Sequence, residues 1–131
     1  MSGTLPRQWL DRAAEDLEVA RLALREGHTA HACFLSQQCI EKSLKAFLID
    51  RDNSYPRTHK LVDLLSNCRS ISNEFADFES DCIVIDQYYI PARYPDGIPG
   101  MAPGGFPSQD EAQEALSAAE RVFGYVASQL Q

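Results

Sequence analysis

Three cationic side chains and one imidazole are of the right type to hold a phosphate, and they fall in three short stretches. The first is Gln37-Gln38-Cys39-Ile40-Glu41-Lys42-Ser43-Leu44-Lys45-Ala46, the second Thr58-His59-Lys60-Leu61, and the third Ala92-Arg93-Tyr94-Pro95-Asp96. Lys42 or Lys45 can meet an anionic ligand beside Arg93, whose planar guanidinium suits bidentate contact with phosphate or carboxylate. His59 can donate to the same anion or act as acid or base. Tyr94 can stack on a base, and Asp96 can hold Arg93 in place or bind a metal. Gln37, Gln38 and Glu41 are supporting groups. Plainer readings stand beside these. Glu41 and Lys45, four apart with the acid first, form a favourable surface pair on a helix. His59 is a capping-region histidine packed under the following loop, and Arg93 pins that loop to the bundle through Glu41.

Helices must position these groups. The first is expected from about Arg7 to Arg25, where Leu10, Ala13, Leu17, Ala20 and Leu24 form an apolar stripe and Gly27 is the stop. The second runs from about Thr29 to Ile49 with a seam of Cys33, Gln37, Ile40, Leu44 and Phe47. Gln37 is the odd member, because a buried amide costs free energy unless hydrogen-bonded, so it marks a polar network or a site. Asp52-Asn53 and Tyr55-Pro56 signal a turn. Thr58 is a good N-cap for a third helix that buries Leu61, Leu64, Leu65 and Cys68, which puts His59 at a helix N-terminus suited to phosphate. Ser70 or Ser72 caps a fourth helix with Phe75, Phe78, Cys82, Ile85 and Tyr89 on one face. Cys82-Ile83-Val84-Ile85 is β-branched, but its place in that helical pattern favours helix.

Pro91 to Pro107 follows, rich in proline and glycine, and reads as a long irregular loop over about residues 90–107. Loops of that length in small domains are often functional. The last helix starts near Ser108, with Glu111 in capping-box spacing and Ala112, Ala115, Ala119, Val122, Val126 and Leu130 on its core face. Together these elements specify one all-α domain over residues 1–131, an antiparallel bundle of four or five helices.

Composition narrows the function classes. Nineteen acidic against twelve basic residues give a net charge of −7, which repels nucleic acid at long range, so no DNA partner is expected. A local basic site remains compatible with one phosphate. No apolar run approaches the roughly 20 residues that span a bilayer. Met1 to Arg7 has no hydrophobic leader core, so the expected location is cytoplasmic. Cys33, Cys39, Cys68 and Cys82 contain no Cys-x-x-Cys pair, fit no zinc spacing and read as reduced core residues. His28 and His31 lack further ligands nearby and read as exposed. Neither a metal nor a cofactor is expected, a nucleotide being the candidate ligand.

The three stretches, with Ala14 and Asp16-Leu17 in the first helix, resemble the HEPN domain, over roughly Trp9 to Val126. The resemblance implies a bundle of four or five antiparallel helices, commonly a homodimer. It also implies a bacterial stand-alone member beside a minimal nucleotidyltransferase, one half of a toxin–antitoxin pair that binds a nucleotide or phosphorylated group near Lys42, Lys45, His59, Arg93 and Tyr94. Other members are RNases that carry an arginine and then, four to six residues later, a histidine near the last helix. This chain departs from that pattern, since His59 is its last histidine. A metal-independent RNase would need a rearranged site, with His59 as acid–base and Arg93 as phosphate clamp. A purely structural helical dimer is the remaining reading.

Overall fold

The computed structural model describes residues 4–88 and 107–130. Among the described residues the chain forms five α-helices and one 3-10 helix. Helix α1 is Leu5–Arg25. The Thr4 hydroxyl accepts from the Arg7 amide at 3.4 Å, and Pro6 lies in the first turn, where its missing amide costs nothing. The five residues of its apolar stripe are all buried. The helix closes on Gly27 at φ 82, with Gly27 N donating to the Leu24 carbonyl at 3.1 Å and His28 N to the Ala23 carbonyl at 2.8 Å. These two bonds are the Schellman pair, which needs a left-handed residue at that point.

Helix α2 is Thr29–Asp52, and from Ala32 to Ile49 most of its residues are buried whichever way they point. It is the axis of the bundle. It packs antiparallel against α1 across the short Glu26–His28 turn and also meets α3, Leu61–Ile71, and the last helix α5, Gln109–Gln129. It ends on Asn53, left-handed at φ 58. Helix α5 begins as expected: the Ser108 hydroxyl accepts from Glu111 N at 3.1 Å, and Ser108 N donates to the Glu111 carboxylate at 2.9 Å.

Two boundaries differ from the sequence expectation. Helix α3 begins at Leu61 rather than Thr58. Its first amides are capped from afar, Leu61 N and Val62 N donating to the Asp86 carboxylate at 2.8 and 3.1 Å. Thr58 instead makes a local turn, accepting from Lys60 N at 3.1 Å and donating to Asp63 at 3.2 Å. The expected fourth helix is split into a 3-10 segment η1, Asn73–Phe78, and α4, Glu79–Asp86. Ser72 is extended, and Ser70 bonds back to the Asn67 carbonyl at 2.7 Å, so the serines compete with the helix as short hydroxyl side chains do. Packing seats η1: the fully buried Phe75 ring lies 4.6 Å from Phe47 and 5.1 Å from Tyr125, centroid to centroid. Tyr89 and the loop as far as Phe106 lie outside the described residues.

All four cysteines are buried and unpaired by disulfides. Burial pushes each thiol up to about 12, far from the thiolate form that reacts or binds metal. Among the described residues no group of three or more His, Cys, Asp or Glu is placed to hold a metal ion, and no helix is long and apolar enough to cross a membrane.

Candidate functional site

Glu41 lies at the middle of α2, and four side chains converge on its carboxylate. Lys45, one turn on, donates to Oε2 at 2.7 Å. Gln37, one turn back, reaches Oε1 at 3.4 Å, and Gln38 reaches it at 3.5 Å. His59 Nδ1 stands 3.4 Å from Oε1 and 3.3 Å from Oε2. The Glu41–Lys45 pair has the spacing read from the sequence, but it is no surface pair: the side chains are 6% and 8% exposed. The imidazole of His59 is 66% exposed. A buried ion pair therefore forms the floor of the site, and a histidine held against it faces solvent.

Aromatic residues the sequence reading did not assign to the site close the floor. The Lys45 ammonium lies 5.0 Å from the Tyr55 ring centroid and 5.5 Å from that of Trp9. The two rings meet edge to face at 5.4 Å. Ring faces attract a cation, with roughly 2 kcal/mol available when the contact is desolvated. Lys45 thus sits in a nearly dry position against one carboxylate and two π-faces. The sequence signals were slight: Trp9 is the chain's single tryptophan, and Tyr55 precedes a proline.

Gln37 resolves as a network member. Its Nε2 also donates to the His59 backbone carbonyl at 3.1 Å, and its Oε1 accepts from Gln38 at 2.7 Å. The fully buried amide thus ties the connection before α3 to α2 and fixes where His59 enters the site. Lys42 leaves in another direction. It reaches α1 and binds Asp16 at 2.6 Å, so the ammonium groups of Lys42 and Lys45 each have a carboxylate within 2.7 Å. His59 stands two residues before α3 rather than in its first turn, and the leading amides of that helix already serve Asp86. Burial pushes the Asp86 carboxyl up, against the two amide hydrogen bonds that favour its charge. Arg93, Tyr94 and Asp96 lie outside the described residues. His28 and His31 are exposed, with ring centroids 6.3 Å apart.

The bundle and its polar seam define a small all-α module in which one histidine stands over a buried ion pair. The chain belongs to the HEPN domain family, whose model matches residues 6–129. It is similar to a Methanocaldococcus jannaschii protein named "Putative toxin MJ1304", with 29% identity over 128 residues that cover 88% of this chain and 81% of that one. Two solved structures share the fold and about a third of the sequence. TT1696 from Thermus thermophilus superposes with a TM-score of 0.85 at 34% identity, over 95% of this chain and 98% of its own. ST0689, an archaeal HEPN homologue, superposes with a TM-score of 0.78 at 34% identity, over 98% and 99%.

Proposed function

We propose that this HEPN protein is one member of a nucleotidyltransferase-linked toxin–antitoxin pair, that it acts in the cytoplasm as a homodimer, and that it takes a nucleotide or other phosphorylated group at the surface around His59. One observation carries the reading: an exposed imidazole is fixed at Nδ1 by a buried carboxylate that is itself neutralised by Lys45. With Nδ1 donating to that carboxylate, the ring in its protonated form has Nε2–H as the donor for an anion, and its orientation is set before binding. Arg93 and Tyr94 supply the clamp and the stacking ring in this proposal. Lys42 and Lys45 act mainly through Asp16 and Glu41, setting the local charge. The likeness to a protein named as a toxin supports the toxin–antitoxin setting.

Calorimetric titration with ATP and GTP tests it. Binding to the wild type is expected to weaken by roughly ten- to a hundredfold in His59→Ala, the cost of one lost charge-assisted hydrogen bond at about 1.5–3 kcal/mol. The unfolding midpoint should hardly move, because the ring is mostly exposed. No heat from a folded protein with either nucleotide, together with no nucleotidyltransferase recovered in a pull-down, would overturn the proposal.

The Glu41–His59 contact also favours a second reading, an RNase in which His59 is the acid–base group. A carboxylate on Nδ1 sets the tautomer and steadies the imidazolium during proton transfer. That reading expects RNA cleavage that persists in EDTA and is lost in His59→Ala. Equal cleavage by the variant would remove His59 from the chemistry.

A further inference from the structure

An open cavity at the surface, which shares the Tyr55 ring with the floor of the His59 site, lies between the end of α2, the connector after it and the last turns of α3. Its volume is about 490 Å³, within the roughly 300–1,000 Å³ of small-molecule sites. Four polar side chains line it, and none is basic: Asp52, Ser54, Asn67 and Ser70. An anion would find no cation there. The apolar part of the lining comes from Leu48 and Ile71, with the Tyr55 ring beside them.

Asp52 is the informative member. It is the last residue of α2, where the helix dipole makes a carboxylate unfavourable. Its neighbour Asp50 is paired with Arg51 at 3.0 Å. Asp52 has no such partner among the described residues; only the Ser54 hydroxyl reaches it, at 3.4 Å. Asp52 is exposed to solvent, as are Ser54, Asn67 and Ser70, so its carboxylate opposes the dipole and stays open to an incoming cation. The hydroxyls of Ser54 and Ser70 and the amide oxygen of Asn67 add single-atom acceptors to the same lining. A compact ammonium with three donors matches such scattered acceptors better than the planar fork of a guanidinium. Tyr55 already accepts one ammonium, that of Lys45, on its π-system.

We propose that this cavity binds an alkylammonium group, with the nitrogen on Asp52 and the carbon chain along Leu48, Ile71 and Tyr55. The group comes either from a free aliphatic amine or from a lysine side chain of a protein partner. The site is independent of the nucleotide reading at His59.

The test is a ¹⁵N-resolved NMR titration of wild type and Asp52→Asn with n-butylammonium, a blocked lysine (N-acetyl-lysine methylamide), n-butanol and inorganic phosphate. Saturable shifts at the Ser54, Asn67 and Ser70 amides are expected with both ammonium probes. Affinity should fall at least tenfold in Asp52→Asn and at least tenfold for butanol. Tighter binding of the blocked lysine assigns the source to a protein side chain, and tighter binding of butylammonium assigns it to a free amine; each supports the site. The variant should melt at or slightly above the wild-type temperature, because it removes a charge opposed to the helix dipole. Absence of saturable shifts, equal affinity in Asp52→Asn or for butanol, or phosphate binding at these amides would overturn the proposal.

Discussion

Glu41→Ala is expected to destabilise the protein by about 3–5 kcal/mol, the usual cost of leaving one member of a buried ion pair without the other. The mechanism is specific. Lys45 would be left in a position 8% exposed, facing two aromatic rings and no carboxylate. Gln37, Gln38 and His59 would lose the oxygen on which they converge. Against a total stability of roughly 5–15 kcal/mol for a domain of this kind, such a loss takes a large share. Urea unfolding of the variant measures it directly. The double variant Glu41→Leu with Lys45→Met should recover most of the stability, because apolar residues of similar volume often replace a buried pair without cost. Under the proposed function it should not restore nucleotide binding, since His59 would no longer be held at Nδ1. A Glu41→Ala variant within about 1 kcal/mol of wild type, the range of an exposed pair, would show that the pair is solvated in solution.

Phe75→Ala should cost about 3–5 kcal/mol through the lost ring and the cavity left behind. Phe75 has no solvent exposure and touches three rings, those of Phe47, Phe78 and Tyr125. Its backbone belongs to η1, and a 3-10 segment is weakly held by its own hydrogen bonds. The side chain therefore fixes the segment, which in turn sets α4 and the Asp86 cap on α3. Thermal melts should show the loss, and Phe75→Leu should keep more of the stability than Phe75→Ala. A loss below about 1.5 kcal/mol, the cost of a well-tolerated core swap, would mean that η1 is held by something other than this ring.

Much of the fold is legible in the sequence because its signals are local. The stripe from Leu10 to Leu24 buries as its spacing dictates, and Ser108 with Glu111 forms the box its sequence spells. Gln37 stands out of place in an apolar seam, and it is the amide that joins α2 to the His59 carbonyl. The start of α3 is not legible. Thr58 has the chemistry of a cap, but the carboxylate that serves those amides is Asp86, which lies 25 residues beyond Leu61. Long-range capping leaves no trace in a window of a few residues. The Glu41–Lys45 spacing predicts the pair correctly and its surface location incorrectly. Burial there depends on Trp9 and Tyr55, which arrive from α1 and from the connector, and pair spacing along one helix carries no information about either. The serines at 70 and 72 have the chemistry of caps for one continuous helix, whereas they separate α3 from a tighter segment.

The four inert thiols turn the bundle into its own clock. An alkylating reagent can reach a buried sulfur only after the surrounding helix opens, so each labelling rate measures how often that helix lets go. Cys82 rides on the eight-residue α4, Cys68 on α3, and Cys33 and Cys39 on the central α2. Mass spectrometry of partly alkylated protein would therefore read out the hierarchy of openings helix by helix, with Cys82 reporting first and Cys39 last, without adding a probe to the sequence.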